Sequence, residues 1–320
     1  MMVMDPDLRK PIVVVAGPTG SGKSALALDL ARAFRGGIVN ADSQQVYREL
    51  RVLTGRPSAA EEAGVPHRLF GALPAATRCS AGRWHGLALQ AIAEFRGLER
   101  LPIVAGGTGL YLKALIEGIA DVPAPSPEAV AEARAARARL GGAAFRAELA
   151  RLDAESASRI PATDTQRLVR AYAVVRATGV PLAEWHRRQA RRAHVPPGRF
   201  CILALAPPRE ALGRRLEARL DRMLEQGALE EARALEGLDL DPTLPALKAL
   251  GVRELLAYMR GETTLPEAVA AAKSATRRFA KRQETWLRHQ IASTHTFQAF
   301  GETVSEEARA LVTKFLAEPY

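Results

Sequence analysis

Gly17-Pro18-Thr19-Gly20-Ser21-Gly22-Lys23-Ser24 fits the pattern G-x-x-x-x-G-K-[ST], and its surroundings decide how it is read. The apolar run Ile12 to Ala16 precedes it, and a helical pattern, Ala25 to Phe34, follows. Strand, glycine-rich loop and helix in that order are the context a phosphate cradle needs. Glycines let backbone N–H groups close round phosphate oxygens, Lys23 adds a point charge, and Ser24 can hold Mg²⁺ where the helix start favours an anion. All eight residues are therefore assigned to binding a diphosphate or triphosphate. The motif leaves open whether phosphate is transferred, hydrolysed or expelled.

Outward from this loop, apolar runs at Ile38 to Asn40 and Pro102 to Ala105 alternate with helical patterns such as Leu110 to Ile116. That is the rhythm of a parallel sheet flanked by helices. Val122 to Pro127 reads as a stiff extended connector, with three prolines in six residues. From Glu128 to Arg192 the chain holds 13 Arg, no Lys and 7 acidic residues, net +6, with helical patterning and no strand. Val195-Pro196-Pro197-Gly198 closes this stretch, and Phe200 to Ala206 reads as a buried strand that returns to the sheet. Helical patterns over Glu210 to Gln226, Pro245 to Arg260 and Pro266 to Gln290 follow. The expected fold is α/β, a P-loop NTPase-like parallel sheet flanked by helices with an inserted all-helical domain. Its core would span 10–120 and 200–292, the insert 121–199, and a C-terminal extension 293–320.

Charge and composition narrow the function. The 320 residues carry 45 Lys and Arg against 35 Asp and Glu, and a net charge of +10 favours a polyanionic partner such as nucleic acid. Cys79 and Cys201 are the only cysteines, which excludes a cysteine-rich zinc module and fits a reducing compartment. Met1 to Lys10 lacks the apolar segment of a secretory signal, and no run is long enough for a membrane span. A cytoplasmic protein without membrane contact is expected.

Several side chains carry candidate chemistry. Asp42 follows the second strand, so it should face the phosphate loop as a general base, or else cap the next helix. The third strand ends in Gly106-Gly107-Thr108, where a motor-type NTPase would offer an acid to hold Mg²⁺ and activate water. Its absence favours chemistry in which diphosphate leaves as a unit. Thr108 is a candidate for contacting that diphosphate or for helix capping. On a helix through Lys273 to Arg288, the cations Lys273, Arg277, Lys281 and Arg288 share one face, opposite Ala272, Phe279 and Trp286, at ~100° per residue. That face would track phosphates. Arg167 with Arg170, and Arg215 with Arg219, form two further arginine pairs on single helix faces.

Gly17 to Ser24, Asp42-Ser43-x-Gln45-Val46-Tyr47, Pro66-His67-x-Leu69, Gly106 to Leu112, Gln166-Arg167-x-x-Arg170 and Thr276-x-x-Phe279-Ala280-Lys281-Arg282-Gln283-x-Thr285-Trp286 occur in that order. Over roughly residues 10 to 290 the set resembles the bacterial tRNA dimethylallyltransferases. The resemblance implies transfer of a dimethylallyl group from dimethylallyl diphosphate to N6 of the adenosine 3′-adjacent to the tRNA anticodon. It implies Asp42 as general base, Thr108 near the leaving diphosphate, and Lys23, Arg215 and Ser24 with Mg²⁺ stabilising that group. Contacts with tRNA would come from Asp42, Ser43, Gln44 and Gln45, from Gln166, Arg167, Leu168, Val169 and Arg170, and from Lys248, Gly251 and Arg253. Arg277 and Lys281 join them through the basic helix face. A monomer is expected.

The chain departs from the family pattern at Arg68, where a His is usual, at Arg56 for Lys and at Val252 for Tyr. A family Arg shortly after Pro127 is missing, with Val130 nearest. Two other readings compete: a P-loop small-molecule or nucleoside kinase, and a nucleotide-gated RNA-binding protein without chemistry. The kinase reading leaves the Arg-rich insert and the basic helix without work.

Overall fold

A computed structural model describes residues 10–58, 60, 62, 64–120, 122–192 and 199–318. The stretch 1–9, expected to carry no secretory signal, and the connector Val195 to Gly198 lie outside the described residues. Two compact units emerge, one from Met1–Glu117 with Pro197–Tyr320 and one from Gly118–Pro196.

In the first unit, six parallel strands make one sheet in the order β3-β2-β4-β1-β5-β6. The strands are β1 Ile12–Ala16, β2 Gly36–Asn40, β3 His67–Arg68, β4 Leu101–Gly106, β5 Phe200–Leu205 and β6 His295–Phe297. β1 lies at the centre because every residue of Ile-Val-Val-Val-Ala can be buried, and its β-branched side chains fit a pleat covered on both faces. Ile12 and Val14 enter one core with Trp84, Ile92 and Phe95. Val13 and Val15 enter the other with Leu26, Leu30, Ala308 and Val312. Burying each such valine is worth roughly 1.5–3 kcal/mol. Helices α1 Lys23–Ala33, α2 Ala81–Gly97 and α3 Gly109–Glu117 pack on this sheet, the second capped by Ser80.

After the insert come α8 Arg209–Glu225, α9 Ala228–Glu236, α10 Val252–Met259, α11 Leu265–Gln290 and α12 Ser305–Ala317. The helical pattern expected over Pro245 to Arg260 is broken: a single 3₁₀ turn, Ala246–Lys248, precedes α10, because Gly251 takes a left-handed conformation at φ 83°. The segment 293–320 is expected as an extension beyond the core, but its described residues, 293–318, build into the first unit. β6 pairs with β5, and α12 packs against α1. No helix among the described residues is long and apolar enough to cross a membrane.

The second unit is helical throughout its described elements: α4 Pro127–Leu152, kinked at Gly141, α5 Ala154–Arg159, α6 Thr165–Thr178 and α7 Leu182–Arg192. Its core joins Phe145 and Leu149 of α4 to Leu168, Ala171 and Val175 of α6, with the Phe145 and Tyr172 rings 5.0 Å apart. Val130, at the position of the missing family arginine, packs on this core.

Candidate active site

The carboxyl ends of β1, β2 and β4 converge on a cavity of about 650 Å³. β1 feeds the phosphate loop. Gly22 holds φ 88° at the start of α1, a conformation that only glycine adopts cheaply. Lys23 donates from Nζ to the Pro18 carbonyl at 2.8 Å, which keeps its ammonium within the loop. Burial lowers its pKa to about 8, with Asp42 opposing that shift and Arg219 reinforcing it. Thr19, Gly20, Gly22 and Ser24 line the same space. Ser21 is fully buried behind the loop, so it shapes the cradle from within.

β2 delivers Asp42 through a turn fixed by Asn40. The buried Asn40 side chain accepts the Asp42 N–H at 2.8 Å and donates to the carbonyls of Asp42 and Leu69, each at 3.0 Å. Trp84 donates to the Asn40 carbonyl at 2.8 Å and stacks on Tyr111, which anchors the turn to the core. Asp42 Oδ1 accepts the Gln44 N–H at 2.9 Å, so its carboxylate is oriented locally while it lines the cavity. Thr108 does not spend its hydroxyl on its own helix. It accepts the Ser43 N–H at 2.9 Å and reaches Ser43 Oγ at 3.2 Å, so it ties the β4 loop to the loop that carries Asp42.

Of the two arginines on α8, the structure turns the deeper role to Arg219. It donates to Thr19 Oγ1 at 3.2 Å and to the Thr54 carbonyl at 3.1 Å, and burial lowers its pKa. Arg215 lines the cavity too, but Glu302 engages its guanidinium and the Phe300 ring lies beneath it at 4.8 Å. Sequence spacing identified the pair and could not rank its members. Gln283 is a second residue whose role sequence did not reveal: buried on α11, it accepts the Thr19 N–H at 2.8 Å and donates to the Gly107 carbonyl at 2.9 Å. It thus bridges the phosphate loop and the β4 loop. Gly109 is required nearby, because a Cβ there would overlap the Trp286 ring.

Six cationic side chains, including Lys23, Arg215 and Arg219, line the cavity against two carboxylates, Asp42 and Glu302. Such a wall attracts a polyanion and stabilises negative charge that develops within it. An adjoining pocket at Thr19, Asp42 and Arg219 is lined by Leu53, Leu216, Leu220, Met223, Leu250 and Phe279. The site therefore has a cationic part and an apolar part that share Asp42.

The remaining expected contacts divide. Gln44 Oε1 accepts the Leu250 N–H at 3.4 Å, which brings the loop at 42–45 to the segment between exposed Lys248 and Arg253, the latter in the first turn of α10. Gln45 is spent on the Thr54 and Gly55 carbonyls. In the second unit Gln166, Arg167 and Arg170 are exposed, and Arg167 pairs with Asp164 at 3.3 Å. Leu168 and Val169, expected among the tRNA contacts, are buried in that unit's core, because residues two and three along from Gln166 turn to the inner face of α6. The basic face of α11 is also partly occupied: Arg277 pairs with Glu217 and Lys273 with Asp221, both on α8. Lys281 and Arg288 stay exposed.

The departures from the family pattern find local partners. Arg68 pairs with Glu94 and lies over Phe95, Arg56 donates to the Tyr47 carbonyl at 3.3 Å, and Val252 is fully buried.

Comparison with known proteins places these features. The sequence model of the family described as IPP transferase matches residues 45–290, and that described as isopentenyl transferase matches 10–70. A tRNA dimethylallyltransferase of Rhodospirillum centenum is 54% identical over 311 residues, covering 97% of each chain. One from Parvibaculum lavamentivorans is 49% identical over 311 residues, covering 95% of each. Among solved structures, a tRNA isopentenylpyrophosphate transferase of Staphylococcus epidermidis aligns with TM-score 0.68 at 27% identity, over 95% of this chain and 99% of its own. A eukaryotic dimethylallyltransferase acting on tRNA aligns with TM-score 0.83 at 25% identity, over 96% of this chain and 80% of its own.

Proposed function

This chain belongs to the IPP transferase family, among its tRNA dimethylallyltransferases, and from that premise we propose how its own residues carry the reaction. It transfers a dimethylallyl group from dimethylallyl diphosphate to N6 of the adenosine 3′-adjacent to the tRNA anticodon, and releases diphosphate. The observation that carries this reading is one cavity in which Asp42 faces Lys23 and Arg219, while β4 ends in Gly106-Gly107-Thr108 and not in a water-activating acid.

The diphosphate rests on the backbone N–H groups of Gly20 and of Gly22 to Ser24, with Lys23, Arg219 and Arg215 around it. The five-carbon chain lies toward the apolar side chains beside Asp42, among them Leu53, Leu216 and Phe279. The target adenosine must leave its stack to reach this site. Its exocyclic amine is a weak nucleophile because the lone pair is delocalised. Asp42 takes the N6 proton as the N–C bond forms and the allylic C–O bond breaks. The departing diphosphate gains negative charge, which the loop amides and the three cations stabilise. Thr108 and Asn40 hold the Asp42 loop in place, a positioning role.

The donor set suits Mg²⁺. It offers the Ser24 hydroxyl beside the phosphate position, and no group of three His, Cys, Asp or Glu side chains among the described residues is arranged to hold a metal. Mg²⁺ commonly keeps its waters and binds through one or two protein groups plus substrate phosphates. When bound it would neutralise charge on the leaving group. Contacts with tRNA come from Asp42 to Gln44, Lys248 and Arg253 in the first unit, with Lys281 and more weakly Arg277 on α11; Gln45, held by the Thr54 and Gly55 carbonyls, and the buried Gly251 shape the loops that present them. Gln166, Arg167 and Arg170 supply those of the second unit. The protein acts as a cytoplasmic monomer.

Incubation with unmodified tRNA and dimethylallyl diphosphate labelled in its carbon chain tests this reading. Label should enter tRNA with one diphosphate released per transfer and no appreciable ATP turnover. Robust tRNA-independent ATP hydrolysis, or phosphorylation of a nucleoside, would overturn it.

A further inference from the structure

The family match ends at residue 290, yet Glu302, beyond it, lines the phosphate cavity. After β6, the 3₁₀ turn Gly301–Thr303 lies against the phosphate loop. The Gly301 N–H donates to the Ser21 carbonyl at 2.9 Å. A Cβ on Gly22 would overlap the Glu302 carboxylate and come within 2.7 Å of the Gly301 nitrogen, and a Cβ on Gly301 would overlap the Gly22 carbonyl. Two glycines therefore meet without space between them, so this contact is sterically specific. From it, Glu302 reaches across the cavity rim to Arg215 and accepts from both of its terminal nitrogens, Nη1 at 3.2 Å. Phe300 supports the same guanidinium from below at 4.8 Å.

We infer that Glu302 is a positioning residue for donor binding: it holds Arg215 toward the diphosphate while the turn that carries it braces the phosphate loop. This rests on the reading that a diphosphate occupies that loop. A free arginine side chain loses rotamer entropy on gripping an anion, and an arginine already fixed by a carboxylate and an aromatic ring has lost most of it beforehand. The pair is about 38% and 39% exposed, so its worth to stability is small and its effect should fall on the ligand. Arg215 keeps further N–H donors free for phosphate oxygens when two are engaged by Glu302.

A double-mutant cycle on the full chain tests the inference, with inorganic diphosphate as the probe in Mg²⁺-containing buffer. Glu302→Ala, Glu302→Gln and Arg215→Ala should each weaken diphosphate binding by roughly two- to fivefold, the range expected for one half-exposed ion pair. Glu302→Ala combined with Arg215→Ala should be no weaker than Arg215→Ala alone, because Glu302 acts through Arg215. The donor KM should rise while the tRNA KM and the melting temperature hold, a split that a merely structural role would not produce. Additive losses, unchanged affinity, or tighter binding by Glu302→Gln would overturn the inference. That conservative variant keeps shape should the alanine fail to fold. A wild type unable to bind diphosphate would instead refute the donor reading, and this inference with it.

Discussion

Arg219→Ala removes the guanidinium that the structure sets deepest in the phosphate cavity. Two of its five N–H donors are engaged, with Thr19 Oγ1 and the Thr54 carbonyl, so up to three remain for ligand oxygens. Two charge-assisted hydrogen bonds to the diphosphate, at about 1.5 kcal/mol each, amount to about 3 kcal/mol of transition-state binding. That corresponds to a loss of about two orders of magnitude in kcat/KM for the donor. The folded state should lose much less, because the Thr54 carbonyl retains the Gln45 Nε2 donor at 3.0 Å. A stability cost of about 1 kcal/mol or less is expected. Arg219→Lys should recover little, since an ammonium cannot span Thr19 and Thr54 while facing the ligand. Steady-state kinetics with varied donor, together with a melting curve, measure both quantities. A variant with donor kcat/KM within about threefold of wild type and an unchanged melting temperature would refute the assignment.

Lys23 has its pKa lowered to about 8, and a bound diphosphate favours its charged form, so binding should take up protons and weaken as pH rises through 8. Titration of diphosphate affinity between pH 7 and about 9.5 checks this, and Lys23→Met should flatten the profile. Lys281→Ala should raise the tRNA Kd and reduce the salt slope by about 0.7 to 0.9, whereas Arg277→Ala, whose cation is paired with Glu217, should change both less; filter binding over a salt series separates them. Replacing 121–199 by a short linker should spare diphosphate binding and abolish tRNA capture, as isothermal titration with each ligand would show.

The central strands were legible because each is an uninterrupted apolar run that only a two-sided burial explains, as in Ile12 to Ala16. β3 and β6 were not, since strands of two and three residues are too short to carry a period, and only Phe297 of β6 is buried. The 293–320 segment looked separate for the same reason: its place in the sheet rests on register with Leu203 to Leu205 and not on its own pattern. In the site, the placement of Lys23 and Asp42 on the cavity is readable because a local loop and a strand end set it. Spacing does not separate Arg215 from Arg219 and the family resemblance points to Arg215, whereas the structure sets Arg219 deeper and pairs Arg215 with Glu302, 87 residues away. Leu168 and Val169 entered the expected contacts as part of a contiguous segment, and helical geometry sends them inward. Gln283 bridges two loops that are distant in sequence, a relation no spacing could show.

The most direct test of the account is a single-turnover comparison of wild type and Asp42→Asn on preformed complexes with tRNA and labelled dimethylallyl diphosphate. The amide keeps the shape and the Gln44 hydrogen bond but cannot accept the N6 proton at neutral pH. Label should reach N6 of the target adenosine about 10² to 10⁴ times more slowly in the variant, the usual contribution of a positioned base, with donor affinity unchanged. Transfer by Asp42→Asn at the wild-type rate would contradict it.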